Sequence, residues 1–245
     1  MIKPEEQITV GWCDNGLVSG DFTDGIVSIS LIGPSLGFPI MKSLRVQGIQ
    51  IARQRQKLID FWYDELKTEW LFWLDSDIVL TPEIWKTMCS TADKEKYPLL
   101  TGIYFIAKEK DGSLPVILPC IFNDYNEYEV QHHHPLPENQ ILKVDSAGMG
   151  LVLMNRDVVT KLKEKYGKDN FLFEEKSSTH EKFVGEDIAF FRKCKDIGID
   201  LYAHTGVIAK HIKSVAWDLD YYKLYWGMEN LVSEEKIPHQ INDGV

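Results

Sequence analysis

A chain of 245 residues with 44% hydrophobic and 11% aromatic content can bury a sizeable core, which excludes intrinsic disorder. Its 27 basic and 37 acidic residues leave a net charge of -10, the wrong sign for gripping nucleic-acid backbone over a broad face. Apolar runs such as Trp70 to Leu74 are about a quarter of the roughly 20 residues that a membrane helix needs. The polar opening Met1-Ile2-Lys3-Pro4-Glu5-Glu6 has no basic segment followed by an apolar one. No membrane span is expected, and a cytoplasmic location is.

No repeat, low-complexity tract or long linker divides the chain, so a single α/β domain is expected over 1–245, with a core of about 7–213 and a C-terminal helical extension of about 214–245. An opening strand, Ile8 to Trp12, leads into a polar loop from Cys13 to Gly25. Residues 47–66 read as a helix, because Ile51, Leu58, Ile59, Trp62 and Leu66 keep helical spacing. Residues 41–60 are locally basic: Lys42, Arg45, Arg53, Arg55 and Lys57 stand against Asp60 alone. For Lys42, Arg45 and Lys57 a solvated helix face is the simpler reading. Arg55 differs, since it lies on the apolar stripe and a charge there needs an anionic partner, either a protein carboxylate or a ligand phosphate.

Trp70 to Leu74 is apolar on both faces, as a central strand should be. It ends in Asp75-Ser76-Asp77. Thr81-Pro82 opens a helix to about Ala92, and Leu99 to Ile106 is a further strand. Lys108 to Leu142 reads as an insertion of loops and hairpins. A Gly-bearing turn then feeds the strand Gly150 to Met154, followed by a helix marked by Val159, Leu162 and Tyr166. Phe171 to Phe183 reads as polar and mobile. A helix from about Glu186 to Ile197 stops at Gly198, and strands Asp200 to His204 and Val207 to Ala209 run into His211. Cys13, Cys89, Cys120 and Cys194 lack C-x-x-C spacing and are expected to be reduced core thiols.

Open α/β sheets place ligands beyond the carboxyl ends of their strands, so Asp75 and Asp77 should face a cleft. Two close carboxylates call for a cation or a proton, and oxygen ligands at an accessible position suit magnesium or manganese. An Asx-type turn gives the same letters. Gly185-Glu186-Asp187-Ile188 places two acids in the first turn of a helix, where the dipole favours their charged form. His211 follows an apolar strand with Lys213 two positions on, a pattern suited to a metal ligand beside a phosphate contact. The adjacent His132, His133 and His134 read as surface loop. Trp217, Tyr221, Tyr222, Tyr225 and Trp226 recur at helical intervals, a stripe suited to core packing or a homodimer interface, with Trp217 also able to stack on an acceptor.

In joint order, Ala52-Arg53-Gln54-Arg55-Gln56, Trp73-Leu74-Asp75-Ser76-Asp77, Ser146-Ala147-Gly148-Met149-Gly150, Gly185-Glu186-Asp187-Ile188 and His211 resemble the GT-A-fold nucleotide-sugar glycosyltransferases, in particular small family-2-like members common in phages and bacteria. The resemblance spans about residues 7–213. It implies a mostly parallel, Rossmann-related sheet flanked by helices. It also implies a Mn2+ or Mg2+ ion on Asp77 and His211, with Asp75 nearer the ribose and the first metal shell. Asp187 matches the base that deprotonates the acceptor in inverting members, and Glu186 would orient acceptor or helix. Arg55 matches a position facing the nucleotide, although Gln56 stands where relatives carry Asn. Asp14 would read the base, within Cys13-Asp14-Asn15-Gly16 where relatives often have a proline-containing turn. Lys213 would add charge at the diphosphate, and Gly148 would border the acceptor.

The function so implied is metal-dependent, inverting transfer of a sugar from a nucleoside-diphosphate donor of UDP or GDP type to an acceptor hydroxyl. The acceptor class stays open between glycan, protein, small molecule and modified nucleobase in DNA. A nucleotidyltransferase is the alternative, although the loop from Cys13 to Gly25 has no lysine or arginine for a phosphate loop. A non-catalytic nucleotide-sugar or glycan-binding module is the third reading.

Overall fold

The computed structural model describes residues 1–110, 113–177 and 183–214, together with Leu219 and Lys223. The chain divides into two compact units, one of residues 1–106 and 118–212 and the other of residues 107–117 and 213–245. Phe105–Lys110 and Ser113–Pro119 pair as a two-stranded sheet.

The first unit is built on a seven-stranded sheet. Its strands in chain order are β1 (Ile8–Asp14), β2 (Ile40–Gln47), β3 (Trp70–Leu74), β4 (Leu99–Ile103), β5 (Ile141–Val144), β6 (Leu151–Asn155) and β7 (Leu201–Ile208). Their spatial order is β5-β7-β4-β6-β3-β1-β2. Strands β2, β1 and β3 are mutually parallel, β6 runs antiparallel to both β3 and β4, β7 is parallel to β4, and β5 is antiparallel to β7. The sheet is therefore mostly parallel with two reversed strands, and the expected α/β class holds.

Among the described residues five α-helices cover the sheet: α1 (Gly20–Ile32), α2 (Ile51–Phe61), α3 (Pro82–Thr91), α4 (Arg156–Tyr166) and α5 (Glu186–Asp196). Alternation along β3 assigns the two faces. Trp70, Phe72 and Leu74 pack with Phe22 and Ile29 of α1 and with Ile84, Trp85 and Met88 of α3. Leu71 and Trp73 pack with Leu58 and Ile59 of α2, Val158 and Leu162 of α4, and Phe190 and Phe191 of α5. All five β3 residues are buried, as its unbroken apolar run predicts.

Three expectations need correction. The stretch from Cys13 to Gly25 is not one loop: β1 continues to Asp14, and α1 starts at Gly20 with the Ser19 side chain accepting from Phe22 N. The expected helix over 47–66 is shorter, because Gln47 still belongs to edge strand β2 and α2 gives way to a π-helical turn at Trp62–Leu66. Lys42 and Arg45 accordingly lie on a strand and not a helix face. Finally, the stretch from Phe171 to Phe183 contributes to the core: Leu172 and Phe173 are fully buried, and Phe173 stacks on Phe190 with ring centroids 4.7 Å apart. All four cysteines are buried and free. Among the described residues no helix is long and apolar enough to cross a membrane.

Candidate functional site

The sheet brings the carboxyl ends of β1, β3, β4 and β7 to one side, and most of the residues singled out from sequence lie there. After β3 the chain turns sharply. Ile78 N donates to Asp75 O at 3.0 Å, and Asp75 N is held by Gly150 O at 2.9 Å. The short strand Ile78–Val79 then pairs antiparallel with Lys210–His211, placing His211 opposite Ile78, and Ile212 N donates to Asp77 O at 2.8 Å. That pairing carries His211 across 134 residues of sequence to Asp77, whose Oδ2 lies 3.2 Å from His211 Nε2.

His211 Nδ1 lies 2.8 Å from the Phe105 carbonyl oxygen, which can only accept, so Nδ1 carries a proton. In the neutral ring Nε2 then presents a lone pair toward a carboxylate oxygen. Two acceptors at that distance need a proton or a cation between them. Donation of the second ring N–H to a backbone carbonyl is also how metal-binding histidines are commonly oriented. Tyr104 packs its ring edge-on against His211, with centroids 5.1 Å apart.

Asp75 turns the other way. Its Oδ2 accepts from Arg55 Nη2 at 3.3 Å, while its buried Oδ1 has no hydrogen-bond partner among the described residues. Burial raises the Asp75 pKa, and the neighbouring Asp77 adds to the rise against the opposing effect of Arg55. Arg55 Nη1 also donates to Glu186 Oε1 at 2.5 Å. The anionic partner that the apolar stripe calls for is thus supplied from within the protein, by Asp75 of the β3 turn and Glu186 of α5. Asp187, beside Glu186, is pushed up to about 6 by burial, with Arg55 opposing and Glu186 reinforcing the shift. Its Oδ1 accepts from Ile188 N at 2.8 Å.

Asp14 is engaged elsewhere. Its carboxylate takes Arg45 Nε at 2.6 Å and Nη2 at 2.7 Å, plus Gly16 N at 2.7 Å. The hydrogen bond from Arg45 is the main cause of its lowered pKa. Lys213 belongs to the second compact unit. Trp217 and the aromatic positions Tyr221, Tyr222, Tyr225 and Trp226 lie outside the described residues. His132 Nδ1 donates to Pro119 O, whereas His133 Nδ1 pairs with the Asn123 side chain, so these two histidines do not converge. Among the described residues no group of three or more His, Cys, Asp or Glu side chains converges as a metal site. What converges is the Asp77–His211 pair.

Sequence reading missed Tyr104 and saw in Cys120 only a core thiol, and the two together explain the glycines nearby. Neither Gly148 nor Gly150 has positive φ, so a left-handed backbone is not what they provide. A Cβ on Gly148 would lie 1.9 Å from Tyr104 Oη and 2.6 Å from Cys120 Sγ. Gly150 N donates to Tyr104 Oη at 3.2 Å. The turn therefore lies against a buried tyrosine, and only glycine leaves it room. Gly148→Ala is expected to lower the melting temperature through an overpacking cost of about 1–3 kcal/mol. Pairing it with Tyr104→Phe should recover part of the loss, a coupling that a double-mutant cycle reads directly.

A surface cleft of about 480 Å3 lined by Lys94, Lys96, Asp157, Lys161 and Tyr202 contains none of the carboxylate-cluster residues. It opens beside Pro98 and Asp200, at the amino ends of β4 and β7, opposite the end that carries Asp75 and Asp77.

No protein-family model and no curated protein matches the sequence. Comparison with solved structures defines the class at the level of fold, which is GT-A-like. One similar structure is GalNAc-T7, solved with UDP, GalNAc and Mn2+, at a TM-score of 0.56 and 11% identity. The match covers 90% of this chain and 48% of that one, so this chain spans about half the length of GalNAc-T7. Another is A197 from STIV, at a TM-score of 0.52 and 16% identity over 85% of this chain and 86% of that one.

Proposed function

We propose that the protein is a nucleotide-sugar glycosyltransferase that moves a sugar from a nucleoside diphosphate to an acceptor hydroxyl with inversion. The observation that carries this reading is the Asp77–His211 pair, with its ring proton committed to Phe105 O, beside Arg55 and Asp187 at the carboxyl ends of a GT-A-like sheet. Asp77 and His211 would hold a Mn2+ or Mg2+ ion with Asp75 behind them, a mixed oxygen and nitrogen donor set that suits such ions. When bound, the ion supplies positive charge to the departing diphosphate.

The remaining work falls to the chain's own side chains. Asp187 takes the proton of the acceptor hydroxyl, and its raised pKa makes it a stronger base than an ordinary aspartate. Glu186 and Asp75 hold Arg55 between the β3 turn and α5, fixing the donor side against the base. The turn at Gly148 borders the acceptor, and Asp14 with Arg45 lies toward the nucleobase. The buried wall of Tyr104 and Cys120 keeps water from one side of this cluster.

Incubation with a panel of nucleotide sugars and manganese should release nucleoside diphosphate, and absence of release across UDP and GDP donors would remove the reading. By calorimetry, Asp77→Asn and His211→Ala should each abolish the metal-dependent part of nucleoside-diphosphate affinity. Undiminished metal-dependent binding in both variants would withdraw the ion from these residues while leaving the transfer proposal to the release assay.

A further inference from the structure

Tyr104 follows directly on β4, one residue before the Phe105 carbonyl that takes the Nδ1 proton of His211. One hydrogen bond leaves an imidazole free to swing about it, because the torsion that turns the ring is broad and nearly two-fold. What limits the swing is the Tyr104 ring, inclined at 79° to the imidazole with centroids 5.1 Å apart. Residues 104 and 105 thus hold His211 at two points, and Nε2 is left facing Asp77 Oδ2.

The hydroxyl of the same side chain reaches the other half of the site. Tyr104 Oη accepts from Gly150 N at 3.2 Å, and Gly150 O accepts from Asp75 N at 2.9 Å, where the Asp75–Asp77 turn begins. The main chain closes the circuit: Tyr104 O accepts from Cys120 N at 2.9 Å, and Cys120 O accepts from Gly148 N at 3.0 Å. Space filling does not account for a tyrosine here. Phenylalanine would occupy the same volume without burying a hydroxyl that needs partners. Two glycines are also cleared for it, since a Cβ on Gly148 would overlap Oη and one on Gly150 would lie 3.0 Å from Cζ. At 5% exposure Tyr104 is too buried to touch a substrate, so it acts through its neighbours.

We propose that Tyr104 is the positioning residue of this site. Its ring sets the plane of His211 against Asp77, and its hydroxyl, through Gly150, keeps the Asp75 turn in register with that pair. A metal-binding imidazole depends on such neighbours for its orientation, and one side chain here serves both halves of the donor set. The consequence for ion binding and sugar transfer rests on the transfer reading. The orientation of His211 and of the turn does not.

NMR of the full chain in mildly alkaline solution, without metal or nucleotide, reads the orientation directly. Wild-type His211 should show one tautomer, protonated at Nδ1. Tyr104→Leu should give a mixture of tautomers, whereas Tyr104→Phe, which keeps the ring, should give the wild-type pattern. Tyr104→Phe should instead speed amide exchange at Gly150 and Asp75 by about tenfold or more over any change in the amides of β1, the scale of one lost buried hydrogen bond. By calorimetry with UDP, the manganese-dependent part of the affinity should fall roughly 10- to 100-fold in Tyr104→Leu and stay within about threefold in Tyr104→Phe. Ile29→Ala, a core truncation under α1, should lower the melting temperature while leaving the tautomer and the manganese dependence as in wild type. A single tautomer in Tyr104→Leu, unchanged exchange at Gly150 and Asp75 in Tyr104→Phe, or an equal loss of manganese dependence in Ile29→Ala overturns the proposal. Should Tyr104→Leu fail to fold, the exchange measurement on Tyr104→Phe decides it. If wild type shows no manganese-dependent UDP binding, the transfer reading loses its ion, and the tautomer and exchange results still decide the role of Tyr104.

Discussion

Asp187→Asn is expected to cut sugar transfer by roughly 10² to 10⁴, the contribution of a positioned base, while leaving nucleotide-sugar and metal affinity close to wild type. The separation follows from what the side chain would touch, since a base acts on the acceptor hydroxyl and not on the donor. Burial sets the pH dependence. With the Asp187 pKa pushed up to about 6, the base is protonated in mildly acidic solution, so transfer should rise with pH along a limb centred near that value. The limb should be missing from the residual activity of the Asn variant.

Stability gives an independent check with the opposite sign. A carboxyl whose pKa is raised by folding costs nothing while both states are protonated, below its ordinary value of 3.8, and destabilises the fold as pH climbs through about 6. Asn escapes that cost and still offers an oxygen to Ile188 N. At neutral pH the variant should therefore be the more stable protein, by an amount on the order of 3 kcal/mol at most, and the difference should vanish in acid. An ordinary acidic residue at a helix start predicts the reverse: near-normal transfer and a loss of about 0.3–1 kcal/mol on substitution. Transfer within about threefold of wild type, far short of the loss expected for a base, would end the general-base assignment.

The parts of the fold that were legible in sequence are those where one physical requirement dominates. The β3 run Trp70–Leu74 is apolar on both faces because it is buried on both, and Thr81-Pro82 marks the start of α3 because a capping hydroxyl and a proline suit only that position. Helix α1 was hidden because its sequence argues against a helix: two glycines, a string of β-branched residues, and only Phe22, Gly25 and Ile29 buried. Gly25 is there for the neighbouring chain, since a Cβ would lie 2.6 Å from Leu80 O. Strand β2 was hidden because an edge strand in contact on one side needs no clean alternation, and Met41, Lys42 and Ser43 are all exposed. At the site, the acids and His211 could be singled out from their places at element ends. What joins them could not: Tyr104 against Gly148 and Arg55 between Asp75 and Glu186 are contacts across 20 to 131 residues, which spacing alone does not encode.

Arg55→Met is expected to cost about 3–5 kcal/mol of stability, the usual consequence of leaving buried carboxylates without their counter-ion. For a chain of this size that corresponds to a fall in melting temperature of roughly 6–20 °C. Met keeps most of the stem volume, so lost packing contributes little. The guanidinium side chain is only 6% exposed and bridges Glu186 to Asp75. Burial works against its charge, but Asp75, Asp187 and Glu186 outweigh burial and hold it above its ordinary pKa. A sequence reading that left the partner open between protein carboxylate and ligand phosphate therefore has two separable outcomes. A large stability loss with normal nucleotide affinity assigns Arg55 to the internal ion pair, whereas weakened nucleotide binding at an unchanged melting temperature returns it to the ligand. The pH profile distinguishes a third possibility, that Arg55 only fastens α5 to the β3 turn. Because Arg55 is the group that lowers the Asp187 pKa against burial, its removal should shift the limb of the transfer profile above 6 in the residual activity. A fastening role alone would lower the melting temperature and leave that limb where it is. Arg55→Lys, which keeps the charge but cannot reach both carboxylates with a planar fork, should restore the limb more fully than it restores the melting temperature.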